Sequence, residues 1–137
     1  MNKPERISVR KAMRTDVVFI DGRKNVLDAL RAMRDGECTS LIVEKRDDHD
    51  EYGILTLSDI AKHVIAKDRA PERVHVFEIM SKPTISVQPD MDIRYCARLF
   101  ERFGISMAPV VESGEIRGIV TYGELVLKGL VDLGSED

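Results

Sequence analysis

The feature that most constrains this chain is that it is written twice. With Met13 set against Met80, Val9 falls on Val76, Ala12 on Ile79, and Val18 and Ile20 on Ile85 and Val87. Val26, Ala29, Leu30 and Met33 then fall on Ile93, Cys96, Ala97 and Phe100, and Ile42 and Val43 on Pro109 and Val110, all at an offset of 67 positions. Beyond the polar residues 45–51 the offset drops to 65, where Gly53-Ile54-Leu55-Thr56 answers Gly118-Ile119-Val120-Thr121, Asp59 answers Glu124 and Ile60 answers Leu125. One change of offset inside a polar loop is what a duplication leaves behind. Lengthening a loop costs little closure entropy, whereas an insertion in a packed element displaces its neighbours.

Each copy reads as the same string of elements. A short helical turn opens it, Ser8–Met13 or His75–Met80, with Ser8 as a possible cap. A strand follows, Val17–Ile20 or Thr84–Val87, and then a turn at Asp21-Gly22 or Gln88-Pro89-Asp90. Apolar residues spaced three and four apart next predict an amphipathic helix, capped by Asn25 or Asp92 and leaving at Gly36 or Gly104. A hairpin comes after it, 40–44 with 52–56 or 108–111 with 117–121, the second closing on Glu112-Ser113-Gly114-Glu115. A last helix, 59–65 or 124–131, ends the copy. The expected fold class is therefore α+β, with two β-α-β-β-α copies at 7–66 and 74–133 and a linker at 67–73. Neither copy is large enough to be comfortable alone, and pairing their apolar sheets is the economical way to bury both.

Composition narrows the function. Aromatics are 5 % and Trp is absent, so the core must be aliphatic. A net charge of −3 lowers the expectation of nucleic-acid binding, which draws on a basic face. Cys38 and Cys96 lack metal-ligand spacing and sit among apolar residues, as buried small hydrophobes do. The start carries no apolar signal region and no apolar run approaches membrane-spanning length, so the expected location is cytoplasmic, without membrane insertion. His49, His63 and His75 are scattered, and Asp47, Asp48 and Asp50 with Glu51 read as a solvated acidic loop. No phosphate-cradling glycine loop or nucleophile elbow occurs, so the chain is expected not to be an enzyme.

Polar interest concentrates at Thr56-Leu57-Ser58-Asp59. A strand ends there and a helix begins, which exposes N–H groups and a field favourable to anions. The Thr56 hydroxyl could donate to a phosphate, and Asp59 could accept both hydroxyls of a ribose. Equally, Ser58 or Asp59 could simply cap the helix. The two readings stay open and can coexist.

The repeated pattern resembles the CBS-domain family, named after cystathionine beta-synthase. The residues that carry the resemblance are Val9–Met13, Gly53–Ile60, Val76–Met80, Ala108–Val111 and Gly118–Leu125. It implies a tandem pair of CBS modules, a Bateman module, here standing alone and related by pseudo-twofold symmetry with two clefts. It further implies an adenosine-containing ligand, AMP, ADP or ATP, with S-adenosylmethionine or NAD ranked after them. One cleft would join Thr56 and Asp59 to Pro83, Thr84 and Ile85, with Ile105 as an apolar wall and Lys82 or Lys62 near a phosphate. The other would join Thr121 and Glu124 to Asp16, Val17, Val18 and Cys38. Glu124 departs from the expected Asp, and Asp16 would repel phosphates, so Asp59 is expected to mark the better site. The implied function is regulatory, signalling to a separately encoded enzyme or transporter, with a homodimer as the assembly. The alternative is an interaction or oligomerisation module without a nucleotide, fed by Leu125, Val126, Leu127, Leu130 and Val131.

Overall fold

The computed structural model describes residues 6–82 and 85–131. The fold is α+β and built from two repeated β-α-β-β-α units. In chain order the elements are α1 (Val9–Ala12), β1 (Phe19–Ile20), α2 (Val26–Asp35), β2 (Ser40–Val43), β3 (Gly53–Thr56) and α3 (Leu57–Ile60). A π-helical turn, Ala61–Ile65, prolongs α3, and a 3-10 turn, Pro71–Arg73, leads to α4 (Val76–Ile79). Then come α5 (Ile93–Phe103), β4 (Met107–Glu112), β5 (Glu115–Thr121) and α6 (Tyr122–Val126), which a second π-helical turn, Leu127–Val131, prolongs. Among the described residues no helix is long and apolar enough to cross a membrane.

The chain divides into two compact units: Val17–Pro83, and Met1–Asp16 together with Thr84–Asp137. Their limits cut across the repeat. The helix that opens each copy packs with the strands of the other copy.

In the unit Val17–Pro83, β1 runs parallel to β2 and β2 antiparallel to β3, with Phe19 opposite Ile42 and Ser40 opposite Thr56. Helix α2 buries Val26, Ala29 and Met33, the stripe its spacing predicts, and Asn25 caps it by accepting the Asp28 N–H at 2.8 Å. Leu41, Val43 and Leu55 meet that stripe from the sheet, and Val76 and Ile79 of α4, with Val74 just before it, complete the core. Ser81 and Ile54 exchange backbone hydrogen bonds of 2.8 and 2.9 Å, which lays the chain after α4 against β3. Gly53 makes the approach possible, since a Cβ there would lie 2.7 Å from the Met80 sulfur.

The other unit repeats the plan. Arg14 and Ile119 exchange bonds of 2.8 and 2.9 Å, and a Cβ on Gly118 would lie 2.9 Å from the Met13 sulfur. Val9 and Met13 of α1 join Val87, Cys96, Phe100, Ala108, Val110, Val120 and Leu125 in the core. Asp92 is buried, caps α5 by accepting the Arg94 N–H at 2.8 Å, and holds the guanidinium of Arg94 at 2.9 Å. Ser8 does not cap α1 with its side chain; its extended backbone bridges to Asp92 instead.

The strand expected at Thr84–Val87 shrinks to one parallel bridge between Val87 and Val110, with residues 83–84 outside the described set. The physical reason is Pro109. In the first copy the Ile42 N–H donates to the Val18 carbonyl at 2.9 Å. Proline stands at the matching position of the second copy and has no N–H to offer Ile85.

Candidate ligand site

Strand β3 ends at Thr56 with an extended backbone, and α3 starts on the next residue. The Asp59 carboxylate reaches back over the helix start, where its Oδ2 accepts the Thr56 N–H at 2.9 Å and the Thr56 hydroxyl at 3.0 Å. The Thr56 oxygen in turn accepts the Asp59 N–H at 3.2 Å. This reciprocal cap fixes both half-buried side chains. Capping is thus present, but the N-cap is Thr56 and not Ser58 or Asp59; Asp59 closes the box from three residues on, and both bonds to its carboxylate end on one of its two oxygens.

The second copy builds the same turn with a longer acid. Glu124 accepts the Thr121 N–H at 3.1 Å and the Thr121 hydroxyl, again through one oxygen, Oε2. The extra methylene is spent in folding back on Thr121.

The remaining expected site residues divide between the units. Thr56 and Asp59 stand together in the unit Val17–Pro83, whereas Ile85 and Ile105, both half-buried, belong to the other. Pro83 and Thr84 lie outside the described residues. Of the second set, Val17, Val18 and Cys38 belong to the unit Val17–Pro83. Val18 and Cys38 flank Gly36, where a Cβ would lie 2.7 Å from Val18 Cγ2 and 3.5 Å from Cys38 Sγ. Asp16 shares the other unit with Thr121 and Glu124.

Two charges stand differently from expectation. Asp16 is held by the Arg14 guanidinium at 2.9 and 3.2 Å, and these bonds lower its pKa below the ordinary aspartate value. Its repulsion of an anion is therefore largely cancelled by a neighbour two residues away. Lys82, considered for a phosphate, donates to Asp50 at 3.0 Å and to the Glu51 carbonyl. Lys62 is exposed.

Asp50 itself corrects the reading of a solvated acidic loop. Its side chain is 8 % exposed, and it accepts the Arg46 N–H at 2.9 Å and Arg46 Nε at 3.2 Å as well as Lys82. The Arg46 amide and the Lys82 ammonium hold its carboxyl well below the usual range. Asp47, Asp48 and His49 are exposed. Sequence reasoning missed Asp50 because one of its two partners, Lys82, is 32 positions away.

Of the two cysteines expected to be buried, only Cys96 is. Burial pushes the Cys96 thiol up to about 11, which suits a packing residue, and Cys38 is half-buried. Among the described residues no group of three or more His, Cys, Asp or Glu could hold a metal ion.

The family model for the CBS domain matches residues 9–66 and 76–129. Among solved structures, the hexameric CBS-CP12 protein from bloom-forming cyanobacteria is 36 % identical, with a TM-score of 0.86 over 91 % of this chain and 69 % of that one. The CBS domain pair of protein MJ0100, solved in complex with 5-methylthioadenosine and S-adenosyl-L-methionine, shares the fold at 23 % identity, with a TM-score of 0.73 over 87 % of this chain and 96 % of that one. A homoserine O-acetyltransferase of Methanosalsum zhilinae is 34 % identical over 87 % of this chain and 23 % of its own length. The chain spans 61 % or less of the length of five of the curated relatives it matches. With both copies matched, the chain belongs to the CBS-domain family, whose modules act as ligand-sensing regulatory units rather than catalysts, and it carries two of these domains in tandem.

Proposed function

We propose that this CBS pair senses an adenosine-containing nucleotide, AMP, ADP or ATP, and that Asp59 is the carboxylate that takes the ribose. The observation that carries the reading is the Thr56–Asp59 turn. Asp59 is held by its own cap through Oδ2, which keeps Oδ1 out of the cap's bonds, and a ligand taken by Oδ1 would not have to break the cap. Glu124 has the same cap but a longer, less constrained side chain, and ranks second. The adenosine class is the chemistry that MJ0100 takes on the same fold. S-adenosylmethionine and NAD rank after the three nucleotides, and a cytoplasmic location goes with this reading.

Sensing requires that the ligand prefer one of two states, because equal affinity for both shifts nothing. The output is a changed contact with a partner enzyme or transporter, or with a second copy of the chain. Exposed apolar residues support self-association. Val126 is 49 % exposed, Leu127 60 % and Leu130 68 %, while Leu125 is buried. The side chain of Val131 lies outside the described residues. The same surface favours the second reading, an oligomerisation module without a nucleotide, and the relative CBS-CP12 is hexameric.

A thermal-shift panel of AMP, ADP, ATP, S-adenosylmethionine and NAD, followed by calorimetry, separates the readings. A ligand that binds the folded form must raise the melting temperature. Asp59→Asn keeps an acceptor for the cap but loses the charge, and is expected to weaken nucleotide binding about tenfold or more. Glu124→Gln is expected to weaken it less. No thermal or calorimetric response, or the reverse ranking of the two variants, would overturn the proposal.

A further inference from the structure

The unit Val17–Pro83 carries a groove of about 740 Å³ away from the Thr56–Asp59 turn. It opens at the other end of the β2–β3 ladder, beside the Val43–Gly53 pair, whereas Thr56 pairs with Ser40. Three residue steps separate the two ends, roughly 10 Å along a strand. Every lining residue comes from this one unit. The volume lies in the range of small-molecule pockets, about 300–1,000 Å³.

The floor is apolar: Val43 is buried, Met80 half-buried, and Phe77, 52 % exposed, is stacked on the His75 ring at 5.3 Å. The rim carries one more cation than carboxylate. Asp21 is taken up by Arg23, with the shortest bond at 2.7 Å, and these bonds hold its carboxyl at about 2. Asp50 is taken up by Arg46 and Lys82. Those two carboxylates are already answered, and Glu44 is the third in the lining. Four cations, Arg23, Lys45, Arg46 and Lys82, thus face three carboxylates, a surplus of one positive charge that falls where Arg46 and Lys82 share Asp50, in a chain whose net charge is −3. The Lys45 ammonium lies 4.7 Å over the Tyr52 ring, a cation–π contact. The nearly buried Asp50 clamps the loop carrying Lys45 and Arg46 to Lys82, so the cationic wall is fixed before any ligand arrives.

We propose that this groove is a second binding site, for a small organic anion with an apolar body: the charged group meets Lys45 and Arg46, and the body lies on Phe77 and Met80. The inference does not depend on the nucleotide reading, since it shares no residue with the Thr56–Asp59 turn.

Phenyl phosphate is the probe, with inorganic phosphate as its control, titrated into the full chain and followed by amide chemical shifts and calorimetry. Saturable shifts are expected at Gly22, Arg23, Lys45, Arg46 and Phe77, with phenyl phosphate binding more tightly than phosphate. Lys45→Ala is expected to weaken binding about threefold, as an exposed charge contact does. Phe77→Ala is expected to weaken it about fivefold, through lost aromatic contact. Both side chains are exposed enough to be replaced without unfolding the unit, and unchanged amide spectra elsewhere check this. Equal affinity for the two probes, shifts gathered at Thr56 and Asp59 instead, or no saturation would each overturn the proposal.

Discussion

The two units answer the same structural problem differently. Each must hold a β-hairpin against the chain segment that follows the other copy's opening helix. In Met1–Asp16 with Thr84–Asp137 the hairpin closes in a two-residue turn at Ser113-Gly114, and its tie to α1 is an exposed pair, Arg10 with Glu112 at 3.0 Å. In Val17–Pro83 the hairpin carries the longer loop 44–52, and its tie is the largely buried Asp50 held by Lys82 and Arg46. The position matching Lys82 is Thr15, so the second arrangement has no charged counterpart there. The duplication has kept the packed positions and let the ladder edges and loops diverge. The groove and its cationic wall are products of that divergence.

The sharpest way to break the parallel is through the cores. Phe100 is fully buried and meets the Tyr122 ring edge-on at 5.2 Å, while Met33 fills the matching place in the other unit. Phe100→Ala is expected to cost about 3–5 kcal/mol of stability and Met33→Ala somewhat less, because the ring leaves the larger cavity. Urea denaturation measures both. A loss for Phe100→Ala below that for Met33→Ala would mean the second core collapses around the gap and is the softer of the two.

Next in size is the contrast between the ties. Asp50→Asn leaves Lys82 beside a neutral amide, whereas Glu112→Gln changes a surface pair worth little. The first is expected to lower the melting temperature more than the second. The pH dependence follows from the same groups. Arg46 and Lys82 lower the pKa of Asp50, the Arg94 guanidinium and amide lower that of Asp92, and Arg23 brings Asp21 to about 2, all from an ordinary value of 3.8. A carboxyl whose folded pKa is depressed contributes stability above its unfolded pKa, and that contribution is lost as pH falls through the folded value. Melting temperature should therefore fall from about pH 4 downward, and less steeply in Asp50→Asn than in the parent. An unchanged acid slope in that variant would remove Asp50 from its structural role.

What the sequence made legible was local or repeated. The offset of 67 exposes the register of the two copies, and Asn25 and Asp92 are both caps because an oxygen beside a helix start has one obvious use. Thr56–Asp59 and Thr121–Glu124 were visible for the same reason: each pair is three residues apart across one turn. The exchange of opening helices was not visible. Val9 and Val76 are equally apolar, and nothing in their order says which sheet each will cover. The shortened strand was hidden in plain view, since Pro109 lies in the partner strand and its missing N–H acts on Ile85. The Arg14–Asp16 pair was near enough to read, but treating Asp16 alone overstated its charge.

The smallest predicted effect separates the hairpins by turn chemistry. Ser113 has φ 54° and Gly114 φ 78°, so both central residues of the short turn sit in the left-handed region. That is the geometry of the type I′ turn, which matches strand twist and favours Asn-Gly. Serine lacks the local amide that lets asparagine tolerate this conformation. Ser113→Asn is thus expected to stabilise by about 0.5 kcal/mol and Ser113→Val to destabilise by about 1 kcal/mol or more, since a branched Cβ clashes there. The same pair of substitutions at Asp48, in the loop held through Asp50, should change stability by less than either, because an ionic clamp and not a positive-φ turn sets that loop's shape. Equilibrium denaturation of the four variants tests the contrast, and equal effects at 113 and 48 would show that the two hairpins are closed by the same physics after all.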